Sequence, residues 1–239
     1  ELVPADRKIY ALRDATGTVE SIPLIAASIM SKKLVEGLDA LILDVKTGSG
    51  AFMKKQTDAR RLAQAMVAIG RRMGKRMMAL ITDMDQPLGN AIGNALEVME
   101  AIETLKGKGP ADLTELSVEL AARMLVLADP SRTVEAAREQ ALTLLENGAA
   151  LAKFGQIIET QGGDPGVLEA YDRLPTASAE HAISSPRSGF ISRINAEDIG
   201  IAAMLLGAGR ERIDSQIDHG VGIVVERKVG EQVQAGDPL

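Results

Sequence analysis

Ala40-Leu41-Ile42-Leu43-Asp44-Val45-Lys46-Thr47-Gly48-Ser49-Gly50-Ala51 joins a short apolar run to a glycine-rich loop. The run ALILDV, residues 40–45, has the length and composition of a strand buried in a parallel sheet. After the loop, Leu62, Ala65, Met66 and Ile69 fall at i, i+3, i+4 and i+7, which predicts a helix from about Thr57 to Met73. Met77 to Thr82 (MMALIT) repeats the strand composition. The turn-rich stretch Asp83 to Gly93 then leads into a helix carrying Ala95, Val98, Met99, Ile102 and Leu105. Strand, loop and helix twice in succession predict βαβ units, and hence an α/β fold with a parallel or mixed sheet flanked by helices.

Working outward, a helix is expected from Ser21 to about Leu34, with Ser21 as its cap, Pro23 in its first turn and Gly37 past its end. Downstream, 113–127 and 131–158 follow the helical template, the second interrupted near Gly148. Gly162-Gly163-Asp164-Pro165-Gly166 punctuates the chain, and with the residues to about Pro175 it reads as a linker. Beyond it the texture changes. Phe190 to Ile194 and Val221 to Val225 alternate with strand periodicity around a short helix built on Ile199, Ala202, Ala203 and Leu206. That tail reads as a smaller α+β domain.

The 239 residues are room for one or two domains at about 150 residues each. With 46% hydrophobic and 25% charged residues, a sizeable core is available. Lys plus Arg number 27 against 33 Asp plus Glu, a net charge of −6 that argues against a general polyanion binder but allows a local basic pocket. Three Phe, two Tyr and no Trp leave almost nothing for base-stacking platforms, so no nucleic-acid polymer is expected as partner. The absence of cysteine excludes disulfides, thiol catalysis and thiolate metal sites within this sequence. No apolar run approaches the ~18 residues of a membrane span, and Glu1 to Asp6 show no signal-peptide pattern. The sequence lacks an initiating Met, and Gly236-Asp237-Pro238-Leu239 stops where a strand is expected to follow, so a chain cut at both ends is the expectation.

Four constellations can carry chemistry, and each has two readings. Ser28 and Lys32 lie four apart, on one helical face that is otherwise apolar around Leu24 and Val35. They line a pocket, or Lys32 snorkels at a helix end. Arg13 is either functional or paired at the surface with its neighbour Asp14. Lys46-Thr47-Gly48-Ser49-Gly50 sits at the carboxyl end of a strand, where open α/β sheets place ligands. It matches neither a Walker loop nor GxGxxG, so a tight backbone turn stands beside a phosphate loop. Asp83, Asp85 and Glu100 hold a hard cation with turn carbonyls, or they cap helices and face water. His181 and His219 read as incidental surface residues, and the methionines at 66, 73, 77, 78, 99 and 124 as core filler.

Taken in order, Tyr10-Ala11-Leu12-Arg13-Asp14, the run from Ser21 to Lys33, Leu43 to Met53, Asp83-Met84-Asp85-Gln86-Pro87-Leu88-Gly89 and Gly93 to Val98 closely resemble the thymidine/pyrimidine-nucleoside phosphorylase family, and Gln-Pro-Leu-Gly its bacterial pyrimidine-nucleoside branch. Gly189-Phe190-Ile191 and the run from Val229 to Leu239 resemble that family's C-terminal domain. The resemblance implies reversible phosphorolysis of a pyrimidine nucleoside, thymidine or uridine, to free base and pentose 1-phosphate. Inorganic phosphate is then the co-substrate, with no organic cofactor. Arg13, Ser28 and Lys32 match the family's pyrimidine-binding positions, and they are the expected substrate-binding and catalytic residues. Leu88 and Ala91 through carbonyls, and Glu100 through its carboxylate, match a monovalent-cation (potassium) site. The resemblance divides the chain into 1–36 from a helical, pyrimidine-binding domain, a central α/β domain at 37–161, a linker at 162–175 and a C-terminal α+β domain at 176–239. It also implies a cytoplasmic homodimer for the full-length protein.

The sequence departs from the family pattern in one large way. The phosphate-binding Lys-His-Ser-Thr-Gly-Gly segment and a Thr-Gly-Gly-Thr signature are not among the 239 residues, so the chain alone is expected to be inactive. Two other readings remain. The Val-Gly-x-x-Val-x-x-Gly-x-x-Leu run of the tail resembles a biotinyl/lipoyl carrier, though no Met-Lys-Met attachment tripeptide is present. A phosphoribosyltransferase-like enzyme shares the helical-plus-α/β plan, but needs an acidic pair for magnesium that no loop here supplies.

Overall fold

The computed structural model describes residues 3–210 and 215–239, without the side chain of Asp14. About half of these residues are helical, and the class is α/β. In chain order the elements are α1 (Pro4–Ala15), α2 (Ile22–Val35), β1 (Ala40–Thr47), α3 (Gln56–Arg72), β2 (Arg76–Asp83), β3 (Ala91–Ile92), α4 (Asn94–Leu105), α5 (Ala111–Ala128), α6 (Val134–Glu146), α7 (Ala149–Thr160), β4 (Gly189–Phe190), α8 (Ala196–Ala203), β5 (Ile223–Val224) and β6 (Gln232–Val233). Two compact units form, Glu1–Met84 with Glu119–Arg138, and Asp85–Val118 with Glu139–Leu239.

The first unit is built on the βαβ expected from its sequence. β1 and β2 pair in parallel over their full lengths, from Ala40 opposite Arg76 to Thr47 opposite Asp83. Each strand outruns its apolar stretch because polar residues at the carboxyl ends, Asp44, Lys46 and Thr82, bond to one another across the pair. Leu43, Val45 and Met77 pack against Ile25, Ala26 and Met30 of α2 and against Ala59, Leu62, Ala63 and Met66 of α3. Met30 and Met66 are fully buried, and each such side chain contributes about 1.5–3 kcal/mol by leaving water. Gly70 lets α3 approach β2, since a Cβ there would overlap the Met77 side chain. Not every methionine is core filler, however: Met73 and Met124 are more than half exposed.

The second unit holds α4, α7 and α8, with Ile102 of α4 fully buried. The long helical stretch breaks at Gly148, whose φ of +76° suits the start of α7. The punctuated segment 162–175 forms two short 3₁₀ turns, Pro165–Leu168 and Tyr171–Arg173. Tyr171 donates to Glu103 of α4 and accepts from Lys106 at 3.2 Å, so the segment is tied to that helix. That hydrogen bond from Tyr171 holds the Glu103 carboxyl below its ordinary range.

The tail departs from the expected strand lengths. Of the first alternating run only Phe190 is strand, and with Gly189 before it, it pairs antiparallel with β6. Of the second run only Ile223 and Val224 are strand, and they pair with β3. Phe190 is 69% exposed, so the alternation there marks no buried face. The expected short helix is α8, capped by Asn195, whose side chain accepts from the Glu197 N–H at 3.2 Å.

Candidate functional site

The predicted pair Ser28 and Lys32 sits one turn apart on α2, and Asp6 of α1 meets both. Ser28 Oγ donates to Asp6 Oδ2 at 3.0 Å. Lys32 Nζ donates to Ser28 Oγ at 2.8 Å and to the Ser28 carbonyl at 3.2 Å, and pairs with Asp6 Oδ2 at 2.5 Å. Asp6 and Ser28 are buried, while the Lys32 side chain is 47% exposed. The Lys32 ammonium beside it holds the Asp6 carboxyl below its ordinary range, aided by Ser28 and opposed by burial. Lys32 is therefore partnered, and its exposed side gives an ammonium oriented by a buried carboxylate. Asp6 was not marked by any sequence signal: it lies 22 residues before Ser28, beyond any helical spacing.

Arg13 is 4% exposed, which removes the surface-pair reading. Its guanidinium bonds the carbonyls of Val19 and of Leu24, the latter at 3.2 Å, and stacks over the Tyr10 ring at 5.1 Å. These contacts anchor the connection from α1 to α2. The buried Nε–H groups of Arg13, Arg123 and Arg227 have no hydrogen-bond partner. Arg13 also contributes to the lowering of the Asp6 carboxyl.

The glycine-rich loop is a tight turn. Its N–H groups at Gly48, Gly50 and Ala51 donate to the carbonyls of Met53, Met84 and Gly48 at 3.3, 2.9 and 3.1 Å. Backbone donors spent in this way do not cradle a phosphate. Lys46 is likewise committed, to Asp44 at 2.7 Å and to Thr82 Oγ1 at 3.0 Å.

In the second unit, Glu100 of α4 meets the turn at Gly89, Asn90 and Ala91. Glu100 Oε1 accepts from the N–H groups of Asn90 and Ala91 at 2.8 and 3.0 Å. Gly89, with a φ of +69°, lies against that carboxylate, and a Cβ would overlap it. Lys228, which sequence reasoning missed, donates to the carbonyls of Pro87 at 2.6 Å and of Gly89, and pairs with Asp112 at 3.2 Å. The Asn90 carbonyl accepts from Val225 at 2.8 Å. The three-acid reading of Asp83, Asp85 and Glu100 is corrected: among the described residues no three His, Asp or Glu side chains are grouped to hold a metal. Both histidines are exposed. A cleft of about 450 Å³ in this unit, lined by Gly93, Glu97, Val98, Phe154 and Met204 among others, includes none of the six predicted site residues. No helix among the described residues is long and apolar enough to cross a membrane.

With this geometry in place, comparison with known proteins is informative. Residues 1–151 match the model of a glycosyl transferase family α/β domain, and residues 190–239 that of a pyrimidine nucleoside phosphorylase C-terminal domain. The chain is 56% identical over 238 residues to a pyrimidine-nucleoside phosphorylase of Staphylococcus haemolyticus (strain JCSC1435). It is 55% identical to that of Staphylococcus aureus (strain bovine RF122 / ET3-1) and 54% to that of Staphylococcus epidermidis (strain ATCC 12228 / FDA PCI 1200). The whole chain aligns in each case but spans only 55% of the relative's length.

Proposed function

We propose that this chain, which belongs to the glycosyl transferase family, carries the base-binding half of a pyrimidine-nucleoside phosphorylase. The whole protein then splits thymidine or uridine with inorganic phosphate, reversibly, into free base and pentose 1-phosphate. The observation that carries this reading is the cluster of Asp6, Ser28 and Lys32, with the charge of buried Arg13 acting on the same Asp6 carboxyl. As the glycosidic bond breaks, negative charge grows on the departing base. Donors aimed at its carbonyl oxygens stabilise that charge more in the transition state than in the ground state. Lys32 and Arg13 supply those donors, and Ser28 Oγ accepts the ring N3–H. The weakest of the Lys32 bonds, to the Ser28 carbonyl at 3.2 Å, is the one a base carbonyl replaces.

The phosphate segment of the family is not among these 239 residues, so no residue here is assigned to phosphate. Leu88, Ala91 and Glu100 fit a monovalent cation, since a single carboxylate and neutral carbonyls suit an ion of low charge. Such an ion would tie the turn at 86–93 to α4. The division into a helical segment at 1–36, an α/β domain at 37–161, a linker at 162–175 and a tail domain at 176–239 belongs to the same proposal. So does a cytoplasmic homodimer, for which Ile9 and Leu12, more than half exposed on α1, offer apolar surface.

The test is phosphorolysis by the full-length protein carrying this chain, with uridine and thymidine, following base release chromatographically. Phosphate-dependent release of uracil or thymine, lost in Lys32→Met, is expected. Absence of release from both nucleosides, in a folded protein with phosphate present, removes the proposal.

A further inference from the structure

The polarity of one hydroxyl follows from counting its bonds. A serine Oγ has one hydrogen to give and two lone pairs. In Ser28 the hydrogen goes to Asp6 Oδ2 and one lone pair takes an N–H of Lys32. One lone pair is left, so whatever meets this oxygen next must be a donor. Lys32 alone does not impose this, because it gives Oγ a hydrogen and leaves the hydroxyl hydrogen free to turn elsewhere. The buried carboxylate of Asp6, reached from the other helix, is the group that takes it.

We propose that Asp6 is a positioning residue that sets the polarity of the base site: by taking the Ser28 hydrogen it fixes Oγ as an acceptor. The site then takes a pyrimidine that presents N–H at ring position 3 and refuses one that presents a lone pair there. Uracil and thymine present the N–H. Cytosine presents the lone pair, and in addition an amino group where uracil has its 4-carbonyl. This inference rests on the base-binding reading of Arg13, Ser28 and Lys32, and what it adds is the positioning role of Asp6.

Calorimetric binding of uracil and of cytosine to the full-length protein, wild type and variants, tests it. The wild type is expected to prefer uracil on the order of 10⁴-fold, as sites built around a substrate N–H do. Asp6→Ala is expected to cut that preference about tenfold and not to abolish it, because Lys32 still opposes the cytosine amino group. Asp6→Leu keeps the branched shape, removes the acceptor and should do the same, while Asp6→Glu should restore most of the preference. Circular dichroism melts establish that each variant is folded. Equal weakening of both bases with an unchanged ratio would show a merely structural Asp6 and overturn the proposal. So would a wild type that binds cytosine as well as uracil, a result that needs no variant. If the folded wild type binds neither base, the base-site reading itself falls and takes this inference with it. An unchanged ratio in a protein that binds uracil removes only the role of Asp6.

Discussion

The first unit contains the same three-residue bonding scheme twice. In Asp6–Ser28–Lys32 and in Asp44–Thr82–Lys46, a hydroxyl donates to the carboxylate and accepts from the ammonium, and the ammonium pairs with the carboxylate. They differ in which member meets water. On the helices the carboxylate side chain is 10% exposed and the lysine 47%. On the strands the values are 22% and 26%. The strand version sits on neighbouring residues of a parallel pair, with Lys46 directly opposite Thr82, and its lysine ties the two strands to each other. In the helical version the carboxylate is sunk and the cation turned outward. The same bonds thus stabilise a strand pair in one place and present an oriented cation in the other.

The contrast is broken most easily at the lysines. Lys32→Met should lower kcat/KM for uridine on the order of 10³-fold in the full-length protein, the scale for losing a donor to a developing anion. It also leaves the buried Asp6 carboxylate with Ser28 alone, so it should cost stability as well, about 1–3 kcal/mol by urea unfolding. Lys46→Met should act on stability alone. It leaves Asp44 with one fewer partner in a partly enclosed place, costing about 1–2 kcal/mol by urea unfolding, and it should leave uracil affinity within about twofold of wild type. A Lys46 variant that loses uracil binding as fully as the Lys32 variant would erase the distinction.

These two sites were not equally legible. Ser28 and Lys32 carry a helical spacing, so a pattern along the chain was enough to pair them. The βαβ order from Ala40 to Asp83 was legible for the same reason: buried apolar runs, a periodic helix and a glycine-rich loop are all local signals. Asp6 carries none, because its partner lies on another helix across a turn. Lys46 was weighed as a phosphate-loop lysine on its place beside Gly48 and Gly50, yet its bonds run to Asp44 and, across the strand pair, to Thr82. Lys228 was invisible in the same way, 141 residues from the Pro87 carbonyl it bonds. In the tail, alternation along Phe190 to Ile194 promised a strand that the fold does not extend. Pairing there depends on β6 and the turn before it, far along the chain, and of that run only Phe190 and Ile191 find partners.

The hydroxyls sharpen the comparison at smaller amplitude. Ser28→Ala removes the acceptor for N3–H and should weaken uracil about tenfold by calorimetry; it also takes a buried bond from Asp6 and should cost about 1 kcal/mol of stability. Thr82→Val keeps the branched shape and removes the bond to Asp44, so it should cost about 1 kcal/mol of stability and leave uracil affinity as it was. If both substitutions act on stability alone, the helical triad is a structural device like its counterpart.

The smallest effect is in the pH dependence of stability, and its sign is fixed by the Asp6 carboxyl. Lys32, and after it Ser28, holds that group in the folded protein below its ordinary value near 3.8. The unfolded chain therefore binds the proton first as the solution is acidified. The contribution of Asp6 is whole above its unfolded value and is lost as pH falls through the lower folded one. The difference in melting temperature between wild type and Asp6→Asn should thus be flat from pH 7 to about 5 and shrink below about 4. Other carboxylates titrate in both proteins and cancel in the difference. A gap that widens on acidification would mean that the folded protein favours the protonated acid. Ser28 would then be free to turn its hydrogen outward, and the two triads would no longer share one bonding scheme.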